Sequence, residues 1–570
     1  MTATGFRATI DSFFAIGLFT AVLLISLGLG KLTIERIVPG LLSDGEVLIY
    51  SSLLGLGLIA YQILLLGLIG VLKPISIGFL LAGNAIAVRN GILDSLNLML
   101  AKIRRTPHQW TKLTHLTRSV LILALLIGLV TFLCALTPAW GYDALMYHLE
   151  GPQLFLDTGK IVRSLGQWNI NLPFTIEMLY TIGIAFEADT LAKLIHLWFA
   201  FLFVITTFLF ANRLLSSSVA WLSVAILLGM PILPEWAILA NVHYGVANFE
   251  MLTIFGVFLW QHNRRPRYLI LSGIFIGLAL GSKYAAFASM GALLLLILWS
   301  DRVRAPRQIA TDLGSFILPG LAVAAPWHLM NLVWLGDPVS PFLGGGASIN
   351  AQRMRLFRVY FETTGPTENV LDWILLPLRL FTKPELFSDI KPILSRPSPI
   401  FLILFAYPFG ERVRRVTLIT FVALIRFLFL GLGIVVARHL LPTYALISIS
   451  AAYVIHDLAG SRAFRSSAGK VFGVAVIVSL AISLVLQVDL FAQMRPIGVM
   501  TGGESKDQFL RRMVPTYPAV EFATRMLADN ERMLSTMDGR LYYCQEKCLT
   551  SDDQFHWLAL ALDSGDASEF

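Results

Sequence analysis

Residues 119–150 read SVLILALLIGLVTFLCALTPAWGYDALMYHLE, and the change of character at Pro138 decides the fold. Residues 119–137 carry no charged side chain. About 20 apolar residues in a helix cross the ~30 Å hydrocarbon core of a bilayer. Pro138 and Gly141 then break the helix, and Asp143, Tyr147 and Glu150 follow at i, i+4 and i+7. On a short helix these three share one face. An acidic face beside aromatics at a membrane surface suits proton abstraction from a hydroxyl, or a divalent metal ion. The same spacing equally fits a solvated loop helix whose charges avoid lipid.

The apolar pattern repeats along the whole chain. Candidate spans lie near 11–30, 47–72, 119–137, 190–212, 216–234, 248–261, 268–282, 284–300, 313–335, 398–410, 413–436, 438–456 and 470–490. The fold class expected is all-α, a polytopic bundle of about 11–14 transmembrane helices with outward-facing loop helices. Residues 75–88 are apolar but short, either another span or a re-entrant piece, which leaves the side of the N-terminus open. Composition agrees: 56% of the 570 residues are hydrophobic and only 14% charged, too little charge to cover a soluble surface. The run Phe13–Leu29 lacks a small-residue cleavage site and reads as a retained first helix.

The net charge of +8 sits mostly in short interhelical loops, where Lys and Arg set orientation, and is no nucleic-acid signal. Lys102, Arg104, Arg105 and Lys112 mark the segment from Arg89 to Arg118 as cytoplasmic. Alternation then puts Arg264–Arg267, Arg302–Arg307, Arg412–Arg415 and the loop with Arg462, Arg465 and Lys470 on the same side. Outside lie residues 138–175, the long loop 336–397, and a tail from about 491. The tail contains YPAVEFATRMLADNERMLS (517–535), which reads as a short amphipathic helix. The chain divides into an N-terminal extension with its cytoplasmic loop (1–118), a core (119–456), a last helix (457–490) and the tail (491–570).

Four stretches carry a family resemblance: GYDALMYH (141–148), GIFIGLALGSKYAAF (273–287), APWHLMNLVWLGDPVSPFL (325–343) and ARHLLPTYALISIS (437–450). In this order they resemble the glycosyltransferase C superfamily, in particular bacterial membrane transferases related to lipopolysaccharide glycosyltransferases and protein mannosyltransferases. The resemblance implies an inverting transferase of the cell (inner) membrane. It would take a sugar from a polyprenyl-phosphate donor to a hydroxyl on a lipid, glycan or protein, for glycan biosynthesis in the cell envelope. It makes Asp143 the catalytic base, with His148 and Glu150 as neighbours of unassigned role. The family often carries a second acidic residue on the next outer loop. Here ANVHYGVANFEML (240–252) puts Asn248 at that place and Glu250 two residues later. No cofactor is certain, and a divalent metal ion would need that second carboxylate. His243 and Tyr244 are substrate-site candidates or interfacial aromatics.

The physical reading runs parallel. Lys283 interrupts an apolar stretch, where a buried charge costs about 3 kcal/mol on insertion scales. With Arg438 and His439 it reaches the outer face, where converging cations suit a leaving phosphate, the competing account being snorkelling to the interface. Of the three cysteines, Cys134 lies in an apolar helix. Cys544 and Cys548 are positioned either to form a disulfide or to remain thiols, and only His556 follows as a zinc ligand. The alternative to a transferase is a transporter or flippase of a lipid-linked glycan. The two differ in whether Asp143, Lys283 and Arg438 surround one outward cavity.

Overall fold

The computed structural model describes residues 3–550 apart from 112, 165–166, 344–368, 388–396, 434, 461–467, 529 and 536–537. Helices dominate. Two antiparallel helices open the chain, α1 (Ala3–Ile37) and α2 (Asp44–Leu68). They pack backbone to backbone: a Cβ at Gly30 would overlap the Ser51 carbonyl, and one at Gly55 would overlap that of Ser26. Small residues let helices approach this closely in lipid, where dispersion replaces the hydrophobic effect as the driving force.

Next come α3 (Pro74–Ala87) and α4 (Arg89–Trp110), bent by 67° at their junction. The Leu72 N–H, just ahead of α3, donates to the Gly159 carbonyl at 2.9 Å, while Lys102 near the far end of α4 lies against Gly45 in the first turn of α2. The pair therefore runs from one end of the bundle to the other as one broken span, which resolves the ambiguity at 75–88. Within the segment 89–118, Arg89–Trp110 is helical, and its Lys102 lies at the same end of the bundle as the Glu46–Arg213 pair. Val88 and Ile92 pack on Gly28 of α1, and Lys31 pairs with Asp94 at 3.3 Å.

The rest of the bundle follows the apolar runs. These are α5 (His115–Ala135), the short α6 (Glu150–Thr158) and α7 (Glu177–Ala185), α8 (Thr190–Leu214), α9 (Ser217–Leu228) and α10 (Ile232–Ala237). Then come α11 (His243–Asn263), α12 (Pro266–Leu280), α13 (Phe287–Asp301), α14 (Pro306–Leu335), α15 (Arg414–Leu430), α16 (Leu441–Gly460) and α17 (Ala468–Met494). Among the described residues, eight helices are long and apolar enough to cross a membrane, or nine with the bent pair, and shorter apolar helices at Ser217–Leu228, Pro266–Leu280 and Pro399–Pro408 complete the bundle. The protein is a multi-pass membrane protein. Pro399–Phe409, expected as a span, forms a 3-10 helix.

The two ends differ in chemistry. At one, Arg213 faces Glu46 (3.6 Å), Arg264 pairs with Asp301 (2.9 Å), Arg304 with Asp312 (3.0 Å), and Arg415 donates to the Leu214 carbonyl (2.7 Å). These are the short basic loops grouped by the charge pattern. Arg462 and Arg465 lie outside the described residues. At the other end the loop after α5 meets the tail. Lys506 pairs with Asp189 at 3.0 Å and the Tyr543 hydroxyl donates to the Ala139 carbonyl at 2.9 Å. The Thr9 hydroxyl donates to the Met500 carbonyl at 3.2 Å, which puts the start of α1 at this end too.

The tail contains α18 (Lys506–Met513) and α19 (Tyr517–Met526). The helix expected over 517–535 stops at Met526. Met533–Ser535 instead forms a strand, β1, paired in parallel with β2 (Cys548–Thr550). The loop 336–397 is described only in part, at 336–343, 369–387 and 397.

Candidate active site

The site begins where α5 ends. Lys193 of α8 is fully buried and donates to the carbonyls of Cys134 (3.1 Å) and Thr137 (2.9 Å) and to the Thr137 hydroxyl (2.8 Å). A cation at a helix C-terminus satisfies carbonyls that have no intrahelical partner. Here it anchors the chain just before Pro138. Residues Ala144–His148 then form a π-turn, closed by the Leu149 N–H donating to the Ala144 carbonyl at 3.0 Å. A π-turn closes at i+5 rather than i+4. Asp143, Tyr147 and His148 consequently face one cavity, and Glu150 is left off its lining.

That cavity has a volume of about 950 Å³ and lies at the end opposite the basic loops. Its polar wall includes Asp143, His148, Glu177, Lys283, Arg438 and His439. Its apolar wall comes from α13 and the end of α15, with Phe287, Gly291, Phe429 and Leu432. Lys283 follows the C-terminus of α12, and Arg438 and His439 sit on the 3-10 turn Ala437–Leu440 that leads into α16. Residues far apart in sequence thus meet around one space.

Two ionisable pairs line it. Asp143 Oδ2 lies 3.2 Å from Arg438 Nη2, whose guanidinium also stacks 5.0 Å from the Trp236 ring. His148 Nδ1 lies 2.8 Å from Glu177 Oε1, with both side chains buried. Burial pushes the Glu177 carboxyl up to about 8 and pulls His148 well below the usual imidazole range, a drop that Lys283 reinforces. Near neutral pH the pair therefore holds one proton and no net charge. Glu150, off the lining, is raised to about 7, by burial and then by Asp157.

Of the second acidic region, Asn241 and Val242 line the cavity, while Tyr244, Asn248 and Glu250 do not. The Tyr244 hydroxyl donates to the Leu233 carbonyl at 2.6 Å, and the Asn248 amide donates to the carbonyls of Tyr244 (2.9 Å) and Phe199. Glu250 points into the bundle, where Arg426 of α15 binds both its oxygens at 2.8 and 3.2 Å. His243 lies behind the lining, its ring 5.6 Å from that of His439. Asp143 and Glu250 thus do not form a shared metal site. Among the described residues no group of three or more His, Cys, Asp or Glu is placed to hold an ion. Cys544 and Cys548 are joined as a disulfide. His556 lies outside the described residues.

The sequence reading did not single out Glu177, Trp236, Arg426 or Arg540. Arg540 comes from the tail. Its guanidinium binds Asp538 through Nε at 2.9 and 2.8 Å and lies 5.5 Å from the Tyr142 ring, at the cavity wall. A signal for Arg426 was available: an arginine and a glutamate, each inside its own apolar run, usually imply one another.

Comparison with known proteins bears on what this cavity does. Residues 166–330 match the family of dolichyl-phosphate-mannose-protein mannosyltransferases. The matched segment supplies Glu177, Trp236 and Lys283, while Asp143 and Arg438 flank it in sequence. The resemblance to membrane glycosyltransferases read from the sequence therefore has a second, separate support. Solved structures similar to the chain include ArnT from Cupriavidus metallidurans bound to undecaprenyl phosphate, at 13% identity and a TM-score of 0.49, covering 78% of this chain and 88% of that one. The archaeal oligosaccharyltransferase AglB from Archaeoglobus fulgidus, in complex with an inhibitory peptide and a dolichol-phosphate, aligns at 14% identity and a TM-score of 0.39, covering 76% of this chain and 60% of that one. No curated protein matches the chain.

Proposed function

We propose that the protein is an integral membrane glycosyltransferase that moves a sugar from a polyprenyl-phosphate donor to a hydroxyl acceptor on the outer face of the inner membrane. The observation that carries this reading is the convergence of Asp143, Lys283 and Arg438 on one cavity at the end away from the basic loops. The family match over 166–330 supports the donor class. A flippase would place its ionisable groups near the bilayer midplane, whereas these gather at one end. The catalytic core corresponds to 119–456, with 1–118, 457–490 and the tail 491–570 around it.

The geometry supports a single displacement. In this reading the polyprenyl chain runs along the apolar wall and its phosphate meets Lys283 and Arg438; Phe287, Phe429, Leu432, Lys283 and Arg438 all line the cavity. The acceptor oxygen attacks the anomeric carbon from the face opposite the phosphate and loses its proton to Asp143. The bond from anomeric carbon to phosphate oxygen breaks, and polyprenyl phosphate leaves with the negative charge. Attack opposite the leaving group inverts the anomeric configuration. Lys283 and Arg438 stabilise charge that grows on the phosphate during bond breaking. Asp143 and the donor phosphate compete for the same guanidinium, since Arg438 already reaches Asp143. When the phosphate takes Arg438, the Asp143 oxygen turns to the acceptor hydroxyl, so base and donor site are armed together.

Purified protein incubated with a panel of polyprenyl-phosphate sugars and lipid, glycan and peptide acceptors should release polyprenyl phosphate in step with glycosylated product. Absence of transfer across the panel counts against the reading. Labelling of a cysteine placed at Tyr142 should proceed in intact cells without permeabilisation, and labelling only afterwards would reverse the orientation.

The His148–Glu177 pair gives the donor site a pH limit. Above about 8 Glu177 ionises and adds a negative charge beside a cavity that binds an anion. Affinity for undecaprenyl phosphate should fall as pH rises through this range. Glu177→Gln should flatten the profile, and an unchanged slope in that variant would show that another group sets it.

A further inference from the structure

Arg426 is fully buried in α15, yet every nitrogen of its guanidinium is used. Nε donates to Glu250 Oε2 (2.8 Å, α11) and Ser289 Oγ (2.9 Å, α13), and Nη1 donates to Thr443 Oγ1 (2.9 Å, α16). Nη2 donates to Glu250 Oε1 (3.2 Å) and to the backbone carbonyl of His439 (2.9 Å). Ser289 also donates to Glu250, so the carboxylate is held from two sides. One side chain therefore ties four helices together. It also grips both His439 and Thr443, one helical turn apart at the start of α16.

The carbonyl that Arg426 holds belongs to the residue directly after Arg438. The turn Ala437–Leu440 is a single 3-10 turn, whose own hydrogen bonds are weaker than those of an α-helix. We propose that the Arg426–Glu250 pair is a positioning device for the donor-phosphate site. Through the His439 carbonyl it fixes the turn from which Arg438 reaches both Asp143 and the lipid phosphate. The inference rests on the polyprenyl-phosphate reading above. Glu250 acts here as the counter-charge that keeps the guanidinium aimed, and neither residue touches substrate.

A stability role and a positioning role separate cleanly in one comparison. A buried ion pair replaced at both positions by apolar side chains of similar volume is often as stable as the original, whereas removal of one partner strands a charge. Glu250→Leu combined with Arg426→Met should therefore fold and melt close to wild type. It has lost the donor to the His439 carbonyl, so its affinity for undecaprenyl phosphate, read by isothermal titration calorimetry, should fall roughly tenfold or more, the scale of a weakened charge-assisted contact from Arg438. If this double variant fails to fold, Arg426→Lys serves instead. It keeps the buried charge but cannot reach Glu250, Thr443 and His439 together, and its affinity should fall without a matching loss of Tm. Wild-type affinity in a folded variant overturns the positioning role. Failure of the wild-type protein itself to bind undecaprenyl phosphate removes the lipid-phosphate reading instead.

Discussion

Asp143→Asn abolishes sugar transfer while donor binding stays at the wild-type level or tightens. The amide keeps the size and shape of the carboxylate but takes no proton from the acceptor hydroxyl. Loss of a positioned general base lowers turnover by about a hundredfold to ten-thousandfold. Donor affinity moves the other way, because in the proposed mechanism the donor phosphate competes for the Arg438 Nη2 that Asp143 Oδ2 holds. A neutral amide holds the guanidinium less firmly and leaves more of it to the phosphate. Single-turnover rates and undecaprenyl-phosphate affinity, measured on the same purified variant, give both numbers. Near-normal turnover removes Asp143 as base. Lost turnover together with lost donor affinity removes the competition for Arg438. The side chain is partly exposed, so the variant should insert and fold as wild type does.

Much of this arrangement is legible in the sequence, because lipid imposes a simple code. A span must satisfy its backbone internally and present apolar side chains, so α1, α2, α5, α8, α14 and α17 emerge as apolar runs, though α1 and α14 extend about a turn or two beyond theirs. The charge pattern likewise groups the short loops at one end. What stays hidden depends on contacts between distant residues or on a local departure from helical period. Glu150 falls off the cavity because the π-turn Ala144–His148 advances the chain past the i, i+4, i+7 face. Glu250 looks like the second acidic residue of the family in sequence, and only the fold brings Arg426, 176 residues away, onto both its oxygens. Glu177 reads as one acid among apolar neighbours, and only the 2.8 Å contact with His148 gives it a proton to share. Arg540 arrives through the tail, whose hold on the loop after α5 depends on a tyrosine hydroxyl and a backbone carbonyl. The disulfide Cys544–Cys548 begins at the residue directly after this tyrosine.

Lys283 and Arg438 decide whether the cavity is a phosphate site or a ring of interfacial anchors. They come from the end of α12 and the start of α16, and both line the cavity. If both contact the donor phosphate, Lys283→Met and Arg438→Met each weaken donor binding and slow transfer. Losing one charge-assisted contact costs about 1.5–3 kcal/mol, roughly tenfold to more than a hundredfold. The two losses should differ in kind. Lys283→Met removes a charge from the phosphate and leaves Asp143 with its partner, so its effect falls mainly on donor affinity. Arg438→Met also releases Asp143 from its ion pair, so the base no longer waits for the donor, and the loss falls on donor affinity and on stabilisation of the leaving phosphate. Because both cations act on one anion, the double variant should depart from the sum of the single effects. Snorkelling anchors lead to another result: lower yield or Tm, with unchanged kinetics in the protein that inserts. Donor affinity and turnover on the folded single and double variants separate the two, and wild-type kinetics in both single variants would end the phosphate-site assignment.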